Sequence, residues 1–290
     1  MGNLQWLLII GSFGGGVIGA YLGALPVFIM TGVVAIAGSI AAMAGGADLS
    51  VGYVAFGAYL GPQVGFGAGV VAAAYAGSRK KLASGKDILS PLFGLGDPMT
   101  LVVGGVTGVI GMVLFQIFAA LGAPTDLPAL AITIIFVVAR LIFGTTGVLG
   151  KYDGEGKRTY ITGGKGLACN ILLGLGVGTA IGFVVAEMMA AGVSETALSS
   201  FPVLCFGISA VTLIFTQTGF ACPATHHIAY PAACAAVWSG NPIMGVVFGI
   251  LGALIGDFMV NTVNSYCDTH IDPPAATILI LIFAATLLFL

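Results

Sequence analysis

The chain has 290 residues, 58% of them hydrophobic and 7% charged, with a mean hydropathy of +1.11. Soluble domains carry roughly 25% charged side chains, so this composition excludes a water-soluble globule and makes the lipid bilayer the chain's solvent and first partner. Nine Lys+Arg against eleven Asp+Glu give a net charge of -2, and no basic patch with interleaved aromatics is present, which excludes nucleic acid as a partner.

A membrane-spanning helix needs about 20 apolar residues, so the length accommodates roughly ten spans and leaves no room for a soluble domain. Polar and Pro/Gly punctuation places the first five near 6–24, 26–44, 51–76, 99–121 and 128–149. The second five fall near 166–191, 201–219, 222–239, 242–263 and 274–290. The run from Trp6 has no Lys or Arg before it and no small-residue cleavage site after it, so it is expected to be a retained span and not a signal peptide. The 46 glycines favour close helix approach, with small-xxx-small faces at Gly104, Gly105, Gly108 and Gly111 and at Gly245, Gly249 and Gly252. The five cysteines show no CxxC spacing and read as small buried hydrophobes.

The second list repeats the first. Ile18-Gly19 matches Ile181-Gly182, and Leu25-Pro26-Val27-Phe28 matches Phe201-Pro202-Val203-Leu204. Pro62 with Ala68, Ala72 and Ala74 matches Pro223 with Ala229, Ala233 and Ala235 at an offset of 161. Gly96-Asp97-Pro98 matches Gly240-Asn241-Pro242 at 144, and Asp126 with Pro128-Ala129 matches Asp272 with Pro274-Ala275 at 146. The change from 161 to 144 marks an insertion between spans three and four, from Ser78 to Leu95. An odd number of spans per unit sends the second copy into the membrane from the opposite side. The expected fold is therefore an all-α integral membrane protein of about ten transmembrane helices, in two inverted five-helix repeats. These occupy residues 1–150 and 151–290, with helices 3 and 8 broken.

The charges give orientation. Arg79, Lys80, Lys81 and Lys86 lie between spans three and four, and Lys151, Lys157, Arg158 and Lys165 between spans five and six. The opposite loops, near Asp48, Asp126 and Glu195, contain no Lys or Arg. The positive-inside rule places loops 78–98 and 150–165 in the cytoplasm and both termini outside, as in a multi-pass protein of the cell (inner) membrane.

A backbone interruption at membrane depth survives only where protein or a water-filled cavity covers it, so interruptions mark sites. Gly61-Pro62-Gln63 interrupts span three. Gln217 and the segment Cys222-Pro223-Ala224-Thr225-His226-His227 precede or open span eight, with Pro231 following. Paired interruptions in two halves point to a transporter site at the pseudo-symmetry axis. On span nine, Asp257, Asn261 and Asn264 make one polar stripe on an apolar helix. The candidate substrate-binding residues are Gln63, Gln217, Cys222, Thr225, His226, His227, Asp257, Asn261 and Asn264. Adjacent histidines on a helix point about 100° apart, so at most one of the two is expected to face the cavity easily.

Cys222 and His226 share a helix face but supply two ligands where tetrahedral zinc takes four, with Cys267 and His270 assigned to a distant loop, so no metal and no cofactor is expected. Arg140 and Glu187 are expected to snorkel to the interfaces. Asp97, Asn241, Asp126 and Asp272 precede prolines and are expected to be helix caps. The Gly-rich stretch 150–166 lacks the spacing of a phosphate loop.

On Cys222-Pro-Ala-Thr-His-His227 and Cys267-Asp268-Thr-His-Ile-Asp272-Pro-Pro274, the chain resembles permease-like integral membrane proteins of prokaryotes whose function is unassigned. The resemblance implies a membrane protein and brings no substrate with it. In architecture alone the expected fold is similar to the urea-transporter fold, also five plus five inverted, without that family's substrate-binding sequence. The function expected is a permease, not an enzyme, moving a small polar solute or ion between the two repeats, coupled to protons if Asp257 or a histidine titrates. A passive channel is the close variant. The readings from other classes are a non-transporting membrane subunit and an intramembrane metalloenzyme using Cys222, His226 and His227. A homo-oligomer is compatible with all of these.

Overall fold

The computed structural model describes residues 5–46 and 50–290. Asp48 and the first four residues, on which part of the expected topology rests, lie outside the described residues. Eleven α-helices are present among those described: α1 (Trp6–Leu22), α2 (Ala24–Met43), α3 (Gly65–Ser78), α4 (Pro98–Leu121), α5 (Leu127–Phe143) and α6 (Gly164–Ala190). They continue as α7 (Glu195–Val211), the single turn α8 (Ile214–Gln217), α9 (His226–Ser239), α10 (Pro242–Met259) and α11 (Pro273–Phe289). Five helical stretches, 24–43, 98–121, 164–190, 195–217 and 242–264, are long and apolar enough to cross a bilayer, and α1, α5 and α11 are apolar at 17 residues each. The described residues are all-helical, without a named strand, and their apolar helices are compatible with a multi-pass membrane protein.

Local chemistry sets the helix starts. Asp97, Asp126, Asn241 and Asp272 each stand at an N-cap with proline in the first turn, and each side chain accepts a backbone N–H two or three residues on. Ser194 does the same for Ala197, so α7 begins at Glu195, six residues before the expected start of its span. Helix α5 ends at Phe143 and not near 149, because Thr145 and Thr146 turn away to donate to the Asp268 carboxylate at 2.6–2.9 Å.

Helix neighbours recur. Helix α1 packs on α3 and α4, and α6 packs on α9 and α10; α3 also meets α5, and α9 meets α11. Across the halves, α2 lies on α7 and α5 on α11. The tightest approaches are glycine on glycine. A Cβ on Gly16 would stand 2.2 Å from the Gly104 carbonyl oxygen, and one on Gly178 would stand 2.6 Å from that of Gly245.

Two stretches are not helical where a span is expected. Residues 56–64 separate a π-turn (Val51–Ala55) from α3, and residues 218–225 separate α8 from α9. Helices α3 and α9 are each 14 residues long and start at positions offset by 161, the offset of Pro62 and Pro223.

Arg140 corrects the expectation of snorkelling. Its side chain is 1% exposed, and its guanidinium donates to the carbonyls of Val148, Val263 and Thr269, to Thr269 Oγ1 and to Cys267 Sγ. A planar fork of five donors suits this task, and it pins the segment 263–269 against the end of α5. Glu187 is exposed on α6.

Both basic loops fold over the same end of α10. Lys86 Nζ donates to the Asn264 carbonyl at 2.6 Å, and Gly85 bridges Thr269. Arg158 donates to the carbonyls of Asn261 and Thr262 and lies between the rings of Tyr160 and Tyr266.

Candidate functional site

The interruption at 218–225 leaves α9 with an open N-terminus. Thr225 occupies the N-cap but makes no side-chain cap bond, and the N–H groups of His226 and His227 find no acceptor among the described residues. Beside this helix end lies a cavity of about 370 Å³. Its walls come from both halves: Leu25, Phe28, Phe66 and Ile88 from the first, and parts of α6, α9, α10 and the start of α11 from the second. All three histidines of the chain, His226, His227 and His270, line it, together with Asp257, Asn264 and Asp272. No Lys or Arg does. Apolar walls with a few convergent polar groups are the usual make-up of a small-solute site.

His226 and His227 are 5% and 8% exposed, with ring centroids 5.9 Å apart at 87°. Both residues line the cavity. The Nδ1 atoms of both are buried without a hydrogen-bond partner.

His270 and Asp272 are the residues that sequence reasoning misplaced, one as a distant loop residue and the other as a cap alone. Asp272 does cap α11, accepting from Ala275 N at 2.9 Å, and its second oxygen lies 3.1 Å from His270 Nε2. Asn264 Nδ2 lies 3.3 Å from His270 Nδ1. The Arg140 clamp next to Thr269 folds this segment back into the bundle. An arginine, a cysteine and a threonine at such separations give no sequence signal of that fold. The repeat offset between Asp126 and Asp272 was the one available hint that both occupy equivalent interior positions.

The expected polar stripe on span nine is split. Helix α10 ends at Met259 and continues as a π-turn, Val260–Asn264, because Asn261 Nδ2 bonds the Asp257 carbonyl at 3.0 Å and disturbs the helical ladder. Asp257 and Asn264 line the cavity, whereas Asn261 is spent on its own helix. Both Asp257 oxygens accept from Thr162, from its N–H at 2.7 Å and from its hydroxyl at 2.5 Å.

Cys222 lines the cavity as well, while Thr225 stands behind the histidines with its carbonyl accepting from Ile228 and Ala229. Gln217 lies outside the lining and donates to the Leu89 carbonyl at 3.1 Å. Gln63 is fully buried and apart from the cavity, donating to the Phe56 carbonyl at 2.7 Å inside the first interruption.

A wall of rings closes the far side. Phe28 lies 4.9 Å from His226 and 5.5 Å from Phe206, and Phe206 lies 5.8 Å from His226, all between ring centroids. Beyond it is a second space of about 40 Å³, which shares Phe28, His226 and Asp272 with the first. Asp126, Ala129 and Ile132 at the start of α5 line it opposite Asp272, Ala275 and Ile278 at the start of α11, pairs that all carry the offset of 146. Among the described residues no three His, Cys, Asp or Glu side chains are set to hold one metal ion.

No curated protein and no solved structure was found to match the chain. A family profile does match it over nearly its whole length, at residues 1–157 and 175–290, and the chain belongs to that family, a family of unknown function (DUF7973).

Proposed function

We propose that the protein is a permease, a secondary transporter of a small polar solute or ion, whose route runs through the histidine-lined cavity and past the Phe28–Phe206–His226 wall. The observation that carries this reading is the position of the cavity. It lies at the interrupted start of α9, takes walls from both halves, and meets a second space whose lining pairs residues at the repeat offset. Helix ends exposed in the membrane interior offer hydrogen-bonding groups to a solute in place of water.

The architecture that goes with it is a five-plus-five inverted repeat, residues 1–150 and 151–290, like that of urea transporters. The recurring helix neighbours and the pairs α2–α7 and α5–α11 across the halves support it. On this reading the basic loops are cytoplasmic, the cavity opens on their side, and the wall of rings separates it from the outside, in the cell (inner) membrane. Solutes that fit a cavity without Lys or Arg, and with Asp257 and Asp272 in it, are neutral or cationic.

The test has two stages. A melting screen of purified protein over amides, amines, amino acids, carboxylates, nucleobases and inorganic ions identifies ligands, since binding to the folded state alone raises apparent stability. Uptake of each hit into proteoliposomes, with and without a pH gradient, then separates coupled transport from passive flux. The permease reading predicts saturable uptake of at least one hit. A protein that binds none of these classes and passes none of them refutes it.

A further inference from the structure

Resting on that reading, we infer that His270 is the group through which protons act on the cavity, and that the side-chain amide of Asn264 is its switch. The geometry fixes the starting state. Asn264 Nδ2 has only hydrogens to offer, so at 3.3 Å from His270 Nδ1 it donates and Nδ1 accepts. The remaining proton of the neutral ring is then on Nε2, where it is donated to Asp272 at 3.1 Å. His270 is thereby held as its Nε2–H tautomer, between a donor and a carboxylate.

A proton that reaches the neutral His270 ring has one nitrogen to bind, Nδ1, and there it meets the Asn264 N–H head-on. Rotation of the amide by half a turn resolves the conflict by presenting Asn264 Oδ1 to the new N–H. The opposite side of the amide tolerates either orientation, because Cys267 Sγ stands 3.9 Å from Asn264 Oδ1 and a thiol is both a weak donor and a weak acceptor. The product is an imidazolium flanked by Asp272 and an amide oxygen, and the charge of the cavity rises by one.

The surroundings assign this role to His270 and not to its neighbours. Asp257 on α10 has both oxygens engaged by Thr162. His226 and His227 on α9 have no carboxylate hydrogen-bonded to them, and a buried charge without a partner is costly. From α5, Arg140 reaches Thr269 and Cys267 but donates to neither His270 nor Asp272, and Phe136 presents its ring to His270 at 6.4 Å. From the inserted loop, Lys86 donates to the backbone carbonyl of Asn264, which holds the residue in place and leaves its amide free to turn. Asp268 faces Thr145 and Thr146. From α2, α3 and α6 the cavity receives only Leu25, Phe28, Phe66, Asn170 and Leu173, none of them titratable.

Nitrogen NMR of ¹⁵N-histidine-labelled protein in lipid nanodiscs tests the claim without any need for a solute, since the chain has three histidines. His270→Gln removes one set of ring signals and so assigns it. The His270 ring is expected as the Nε2–H tautomer when neutral, and as the one of the three histidines that takes up a proton on acidification. Asn264→Asp supplies an acceptor in place of the donor and is expected to raise the midpoint by about one pH unit or more, a tenfold gain in proton affinity. A His270 ring with its proton on Nδ1, a titration that belongs to His226 or His227, or a midpoint unmoved in Asn264→Asp would overturn the inference. In proteoliposomes, His270→Gln is expected to abolish accumulation driven by a pH gradient. Absence of any flux in the unmodified protein would instead count against the permease reading, and the NMR titration would still decide the protonation claim.

Discussion

The two interruptions occupy corresponding places in the halves, yet one is sealed and the other is open. In the first, Thr31 donates to the Leu60 carbonyl at 2.8 Å, Gln63 donates to that of Phe56, and the backbone of Gly111 lies so close that a Cβ there would stand 1.7 Å from the Gln63 carbonyl oxygen. In the second, the α9 N-terminus has no side-chain cap, a Cβ on Gly252 would stand 2.8 Å from the His227 carbonyl oxygen, and a cavity lies beside the helix end. Unpaired backbone groups in a bilayer must be covered by protein or water. The first half covers its break with side chains and close packing, with Gln63 Oε1 left unpartnered, and the second leaves its helix end to water or solute. A break in a membrane helix is thus not a site in itself; what decides is whether the chain satisfies its own exposed groups.

The contrast is sharpest at the two glycines. Gly111→Val is expected to cost about 3 kcal/mol or more, because α4 cannot approach the sealed break with a larger residue. Gly252→Val is expected to cost less, about 2 kcal/mol: its Cβ also meets backbone, 2.8 Å from the His227 carbonyl oxygen, but His227 and Ile228 border the cavity and can give way. Thermal unfolding in detergent compares them, and equal losses would remove the distinction. Arg140→Met comes next, at about 3 kcal/mol from stranded carbonyls, and it should also release the 263–269 segment, read as faster hydrogen exchange there. Gln63→Leu is expected to cost about 1 kcal/mol, one buried hydrogen bond.

The smallest effect is expected at Asp97, whose counterpart at the offset of 144 is Asn241, a residue that caps α10 in the same way. Asp97→Asn keeps the cap and loses only the 2.7 Å pair with Lys81. The Lys81 hydrogen bond outweighs partial desolvation and holds the Asp97 carboxyl below its usual range. Its contribution to stability is therefore present above the ordinary aspartate pKa and is lost as pH falls through the lowered one. The variant and the unmodified protein should melt alike at low pH and differ by a degree or two, roughly, at neutral pH.

Much of the frame was legible before the structure. Prolines at 62, 98, 128, 223, 242 and 274 mark where helices start or break, because a missing N–H costs least there, although Pro202 and Pro231 lie inside α7 and α9, and the offsets between the six align α3 with α9, α4 with α10 and α5 with α11. Local chemistry also gave the caps at Asp97, Asp126, Asn241 and Asp272. The site was legible only in part. Cys222, His226, His227, Asp257 and Asn264 line the cavity, but Gln63, Gln217, Thr225 and Asn261 are used by neighbouring backbone or lie behind it. A glutamine beside a proline reads the same whether it lines a cavity or closes a turn, and the difference is made by contacts far along the chain, such as Gly111 on Gln63. His270 and Asp272 entered the cavity through the buried Arg140, a tertiary arrangement with no periodicity to reveal it.

The central claim is that the solute is held at the open interruption, whereas the first interruption borders the route only through Phe56 and Pro62 in the second space. Solute uptake by proteoliposomes carrying His226→Leu, set beside uptake by those carrying Gln63→Leu, addresses it most directly. The account predicts that the first variant loses uptake by tenfold or so while remaining folded, a loss of about 1.4 kcal/mol in binding or passage, and that the second transports like the unmodified protein. Equal loss in both, or loss only in Gln63→Leu, would contradict it.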